Sequence, residues 1–233
     1  MTHDRTLMRA HISALYVHDD RGRMTHVNEP SGQRAPRFFL GRTVDGVEWR
    51  VRDDVDDRHL LQDLQAAVEG SAVPHGGALE ALHSNRFEEI LSRSAPVQRI
   101  WTGPAFVFPE QFPSSARAVA ITEGNADVLR PYLAPWIPDV TLNPPLFAVL
   151  HEGAAVAVCC SVRRTPAAHE AGVETAPEFR GRGYASDAVS AWARAVRELG
   201  VIPLYSTSWS NVASRAVARR LGLRLFGSDL HLT

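Results

Sequence analysis

The chain has 233 residues, of which 45% are apolar and 22% charged, with a formal charge of −1 at neutral pH. That is the make-up of a globular protein of one large domain or two small ones. It excludes a spanning helix, since no stretch approaches ~18–20 apolar residues, and it offers no general attraction to nucleic acid or an anionic membrane. Lysine is absent, so all 25 basic residues are arginine. This rules out a pyridoxal-phosphate Schiff base and a GxxxxGK[ST] phosphate loop. The opening MTHDRTLMRAHIS has no apolar signal core, and the cytoplasm is the expected compartment.

In chain order, the first third reads as β-rich. SALYVHDD and RMTHVNE flank Arg21-Gly22, and RFFLGRTV and VEWRVR flank Asp45-Gly46, two hairpin signals. The acidic run Asp53–Asp57 then opens a helix, RHLLQDLQAAVEG. Its apolar face is Leu60, Leu61, Leu64, Ala67 and Val68, and Gly70 closes it. VPHGG reads as a loop, ALEALHSNRFEEILSR as a second helical stretch, and IWTGPAFVF as a strand. PEQFPSS, from Pro109 to Ser115, is the candidate linker.

Strands and helices alternate after it. ARAVAI is a strand, and NADVLRPYLAPW is helical but broken by Pro131 and Pro135. PLFAVLH and AAVAVCCSVRR are strands joined by Glu152-Gly153, and HEAGVETA is another. Cys159 and Cys160, neighbours on a strand, point to opposite faces and read as two small buried residues rather than a disulfide. GYASDAVSAWARAVRELG is a long helix whose stripe is Ala185, Ala188, Val189, Trp192, Ala195, Val196 and Leu199. IPLYSTS, NVASRAVARRLG and LRLFGSDLHL follow as strand, helix and one or two closing strands. The expected fold class is α/β with a mixed α+β sheet. A smaller β-rich α+β domain over 1–112, of unknown role, precedes a second domain over 116–233.

The chemistry concentrates in TAPEFRGRGYAS, where a strand gives way to the long helix. A helix start leaves about four amides unpaired and carries roughly half a positive charge, so it receives phosphate. Gly181 and Gly183 let the backbone approach a ligand, and Arg180 and Arg182 add donors. A dinucleotide fold would need GxGxxG and an acid about 20 residues on. Here Ser186 stands at the third glycine and the later segment LYSTS has no acid.

The sequence Arg180-x-x-Gly183-x-Ala185 instead resembles the R/Q-x-x-G-x-G/A signature of the GNAT superfamily of N-acetyltransferases, and Asn211-Val212-Ala213-Ser214 followed by RRLGL resembles a second segment of that superfamily. The resemblance covers about residues 116–233. It implies acetyl-CoA, or another acyl-CoA, as co-substrate. The pantetheine would pair with backbone groups of Val173, Glu174 and Thr175. The diphosphate would lie on amides of Arg180, Gly181, Arg182, Gly183, Tyr184 and Ala185, with Asn211 and Ser214 near the pantetheine and sulfur. The strands at 169–176 and 202–208 would splay to admit it.

The implied reaction is direct attack of an amine on the thioester, with the amine's proton taken by a carboxylate. Glu174 is the candidate base and Glu170, four residues earlier on the same strand face, the reserve. Many family members place a tyrosine where this chain has Ala218; Tyr205 or Ser208 could substitute as the acid, and the thiolate can also leave without a strong one. A non-catalytic acyl-CoA sensor is the alternative. The acceptor is expected to be a small-molecule amine or a peptide, and a homodimer is admitted. No membrane or nucleic-acid partner is expected, and with neither HExxH nor CxxC among the ten histidines and two cysteines, no metal.

Overall fold

The computed structural model describes residues 3–72 and 78–233, so the VPHGG loop lies outside the described residues. The chain forms two compact units that are not consecutive in sequence. One comprises Met1–Phe106, Ser206–Asn211 and Leu225–Thr233; the other comprises Val107–Tyr205 and Val212–Arg224. The sequence reading drew its boundary at 112–116, whereas the chain first changes unit at Phe106–Val107 and twice returns to the opening one.

The first unit opens with α1 (Asp4–Leu15), then β1 (Tyr16–His18), β2 (Met24–Val27), β3 (Phe38–Thr43), β4 (Gly46–Val51), α2 (Arg58–Glu69), α3 (Asn85–Ser92) and β5 (Ile100–Val107). Two expectations need correcting. Ser13–Leu15, read as strand, end α1, whose buried residues Leu7, Met8, His11, Ile12 and Leu15 repeat at helical spacing. The polar His11 in that stripe disguised the pattern. The second helical stretch is also shorter, since Ala78–Ser84 are not helical and α3 begins at Asn85. Both hairpins form, β1 with β2 and β3 with β4.

The second unit runs β6 (Ala118–Ile121), a 3-10 segment Glu123–Leu129, α4 (Arg130–Leu133), a 3-10 turn Ala134–Trp136, α5 (Asp139–Leu142), β7 (Leu146–His151), β8 (Ala154–Arg164), β9 (Ala168–Thr175), a 3-10 turn Pro177–Phe179, α6 (Tyr184–Glu198), β10 (Ile202–Ser206) and α7 (Val212–Arg220). Its strands lie in the order β10-β9-β8-β7-β6. They are antiparallel except for β9 with β10, which are parallel, so the sheet is mixed. The helical segments between β6 and β7 cover one face over an apolar cluster of Leu129, Leu133, Leu146, Val158 and Cys160. Buried Trp192 of α6 donates from its indole nitrogen to Ser161 Oγ at 2.9 Å, and His169 Nδ1 lies 2.9 Å from the same oxygen. His169 is thereby a contact between β9 and β8, through the hydroxyl that also receives Trp192. The α6 stripe buries Ala193 where Leu199 was expected, and Leu199 is exposed. Cys159 and Cys160 are free and buried, and burial pushes both thiols up.

The candidate linker is bound rather than loose. The Arg197 guanidinium donates to the carbonyls of Phe108, Pro109 and Glu110 at 2.6–2.8 Å, and Ser190 Oγ donates to that of Pro113.

The chain closes with one strand, β11 (Arg224–Leu232), antiparallel to β3 in the first unit. Its period-2 alternation serves two layers. Leu230 and Leu232 join the core formed with Phe38, Leu40, α2 and α3. Asp229 turns to the other face, toward α1, where His11 Nε2 lies 2.7 Å from Asp229 Oδ2, both side chains fully buried. Close packing makes room for α1: a Cβ on Gly41 of β3 would lie 2.3 Å from Met8 Sδ, and one on Gly227 of β11 2.3 Å from Met8 Cε.

Burial raises the Asp229 carboxyl, but hydrogen bonds from His11 and His231 outweigh it and hold the group at about 2. A carboxylate depressed by folding stabilises the protein above its unfolded value near 3.8, and that contribution fades as pH falls toward 2. It is on the order of 2 kcal/mol. Urea unfolding of the wild type between pH 6 and pH 2 should therefore show a loss of stability that Asp229→Asn, less stable at pH 6, largely lacks. Parallel pH curves for the two proteins would remove Asp229 from the account.

Candidate functional site

The site is built where β9 ends and α6 begins. β9 and β10 pair only at Ile202↔Ala168, Pro203↔His169 and Leu204↔Glu170. Beyond that, among the described residues, β9 continues through Thr175 with no strand partner on the β10 side. The Ala176 amide donates to the Val156 carbonyl of β8. By strand alternation the backbone groups of Glu174 and Gly172 also face β8, while those of Val173 and Thr175 face the open side. The Thr175 carbonyl there accepts from Arg180 Nε at 3.2 Å.

The turn that follows is a cradle of unclaimed donors. Gly181 and Gly183 have φ of 78° and 83°, the left-handed region that glycine enters without strain. Gly183 is the residue before the first helical position, and α6 has no side-chain cap. The Arg180 amide bonds the Pro177 carbonyl and the Asp187 amide bonds the Gly183 carbonyl. Between them, among the described residues, the amides of Gly181, Arg182, Gly183, Tyr184, Ala185 and Ser186 meet no protein acceptor. The contrast with α2 is direct: there Asp57 Oδ1 accepts from the amides of His59 and Leu60 at 2.8 and 3.0 Å, so that helix start is already filled. An anion at α6 would satisfy donors that nothing else satisfies.

Cations surround the cradle. The Arg182 guanidinium lies 5.4 Å over the Phe179 ring. Arg220, at the end of α7, holds its guanidinium within 2.9–3.1 Å of where a Gly183 Cβ would stand. Sequence reading missed Arg220; Arg219-Arg220 reads as an ordinary basic helix end. It also missed Arg117, which pairs with Asp187 of the first α6 turn at 2.5 Å and lies 5.4 Å over the Tyr184 ring. Arg117 offsets the Asp187 charge that would otherwise oppose a bound anion.

Of the two carboxylates on β9, Glu174 is exposed and accepts from the Trp136 indole nitrogen at 2.5 Å, whereas Glu170 is 2% exposed. Glu174 stands opposite Val158, on the sheet face covered by the segments between β6 and β7. Tyr205 is buried on β10, its hydroxyl 2.5 Å from Ser214 Oγ, and burial pushes it up to about 12. The structure thus brings Tyr205 and Ser214 together, while Ala218 is buried in α7. Asn211 is exposed before α7, its amide on the Ser208 carbonyl, and belongs with the first unit's residues. Among the described residues, no group of three or more His, Cys, Asp or Glu side chains is placed to hold a metal, and no helix is long and apolar enough to cross a membrane.

Residues 147–227, which span β7 to the start of β11, match the family described as GNAT acetyltransferase. This part of the chain is a GNAT domain. Among solved structures, the chain is similar to a GCN5-related N-acetyltransferase from Kribbella flavida, at 14% identity over all of this chain and 95% of that one, with a TM-score of 0.51. A protein assigned to the GNAT family from Novosphingobium aromaticivorans is 24% identical over 58% of this chain, with a TM-score of 0.49; the match spans 65% of that chain, under two thirds of its length. A GCN5-related N-acetyltransferase-like protein from Streptococcus suis is 17% identical over 85% of each chain, with a TM-score of 0.48. A comparison with curated proteins returns no significant match. At 14% identity the likeness to the Kribbella flavida protein speaks to the fold alone, and the mixed sheet agrees with it.

Gly183 is the sharpest test of the cradle. Gly183→Ala must hold a left-handed φ and drive a methyl group into the Arg220 guanidinium. Calorimetric titration with coenzyme A should show affinity reduced about tenfold or more, with the melting temperature lowered by only a few degrees. Unchanged affinity would mean that this turn does not carry the diphosphate.

Proposed function

We propose that the protein is an acyl-CoA-dependent N-acyltransferase that moves an acetyl group from acetyl-CoA to an amine by direct attack. The observation that carries this reading is the run of unaccepted amides from Gly181 to Ser186 beside the unpaired edge of β9. The amides and the guanidinium groups of Arg180, Arg182 and Arg220 suit a diphosphate. Backbone groups of Val173 and Thr175 suit the amide-bearing pantetheine arm, taken up as an added strand. Ser214 is proposed beside that arm.

In the reaction, an ammonium gives one proton to Glu174, directly or through water, and the freed amine attacks the thioester carbonyl. The C–N bond forms, the C–S bond breaks, and the second nitrogen proton ends on the departing thiolate. Holding both reactants in one groove supplies much of the acceleration. Tyr205, at about 12, is a poor proton donor. Its better use is to orient the Ser214 hydroxyl, which can steady the thiolate by a hydrogen bond. Buried Glu170 remains the second candidate for the base.

Acetyl-CoA at a hundred times its dissociation constant should add about 2.7 kcal/mol and raise the melting temperature by several degrees, whereas NAD should not. Free thiol should appear when acetyl-CoA is mixed with a suitable amine. Glu174→Gln should lower that rate about a hundredfold or more while leaving coenzyme A binding intact. An unchanged rate would move the role to another group. Binding without thiol release for any amine would instead favour an acyl-CoA sensor.

A further inference from the structure

The segment from Arg130 to Trp136 presents two rings to the end of β9. Trp136 donates its indole N–H to Glu174 Oε2, which leaves Oε1 for another donor. Tyr132, four residues earlier, packs edge-on against Phe179 at 5.2 Å between ring centres, and remains 45% exposed. Phe179 in turn meets the His151 ring at 5.3 Å. Pro131 and Pro135 restrict the backbone that carries the two rings, so little chain entropy is lost when they hold a ligand.

Arg130 pairs with Asp127 at 2.6 Å, Asp139 accepts from the Asn143 amide nitrogen at 2.5 Å, and Arg182 stacks on Phe179. Trp136 touches the exposed Glu174 carboxylate, and Tyr132 lies against Phe179 in the turn that follows its strand. A carboxylate repels an anionic acceptor, and the rings' negative faces favour a cation beside them.

We infer that the acceptor is an aralkyl amine: a primary ammonium that meets Glu174 Oε1, on an apolar body that lies against Trp136 and Tyr132. This rests on the reading of Glu174 as the base, and it selects the substrate by the same carboxylate that takes its proton. Indole and phenol faces together are suited to a flat apolar group, and a purely hydrophilic amine would leave them wet.

The test is calorimetry on the full chain already titrated to saturation with coenzyme A. The probes are 2-phenylethylamine, its anionic counterpart 3-phenylpropionate, and ethanolamine, which has the charge without the apolar body. We expect 2-phenylethylamine to bind at least tenfold more tightly than ethanolamine, and 3-phenylpropionate not to bind. Trp136→Phe and Tyr132→Leu should each weaken 2-phenylethylamine several-fold and Glu174→Gln about tenfold, all three keeping wild-type affinity for coenzyme A, which also shows that they fold. Equal binding of ethanolamine or 3-phenylpropionate, no binding of any probe, or wild-type amine affinity in both ring variants would overturn the inference while leaving the cofactor reading in place. Absence of coenzyme A binding at the first titration would overturn both.

Discussion

The GNAT domain depends on a set of backbone donors that the protein itself does not use. A helix start buried without caps is ordinarily a liability, and chains answer it with a serine, threonine or aspartate. The first unit does so at α2, where Asp57 fills the first turn. At α6 the chain places Gly183 in that position, with a second left-handed glycine two residues before it, and leaves the amides open. The donors are held in place by α6, whose buried Trp192, Val189 and Val196 fix it to the sheet. Nothing need reorganise when an anion arrives.

Around that cradle the other parts fall into roles. The parting of β9 from β10 after Glu170 opens a strand edge next to the amides, and the same strand carries Glu174 on its helix-covered face. An open backbone edge and an exposed carboxylate thus come from one strand, through its period-2 alternation. The arginines around the open amides come from segments far apart in sequence, with Arg117 paired to Asp187 and Arg220 reaching Gly183 from α7.

The first unit is held by a different device. One of its inner strands, between β3 and β5, is the chain's C-terminal segment, tied to the N-terminal helix by a buried His11–Asp229 contact across 218 positions. A charge this deep is tolerated only with partners, and removing one leaves the other stranded. Leu230 and Leu232 on the opposite face make the same strand part of the apolar core.

By itself the sequence determined the elements whose signals are local. Asp45-Gly46 and Glu152-Gly153 specify their hairpins, Asp57 and Gly70 bound α2, and RGRGYA before an amphipathic stripe marks a helix start entered through a glycine turn, because turns, caps and periodicity involve residues within a few positions of one another. Helix α1 was lost because the polar residue in its buried stripe, His11, is satisfied by an aspartate that no local window contains. Tertiary structure alone decided that Trp136 meets Glu174, that Arg220 reaches Gly183, and that β11 returns to the first unit. Each depends on where separate elements pack, and packing of distant segments leaves no periodic trace in the chain.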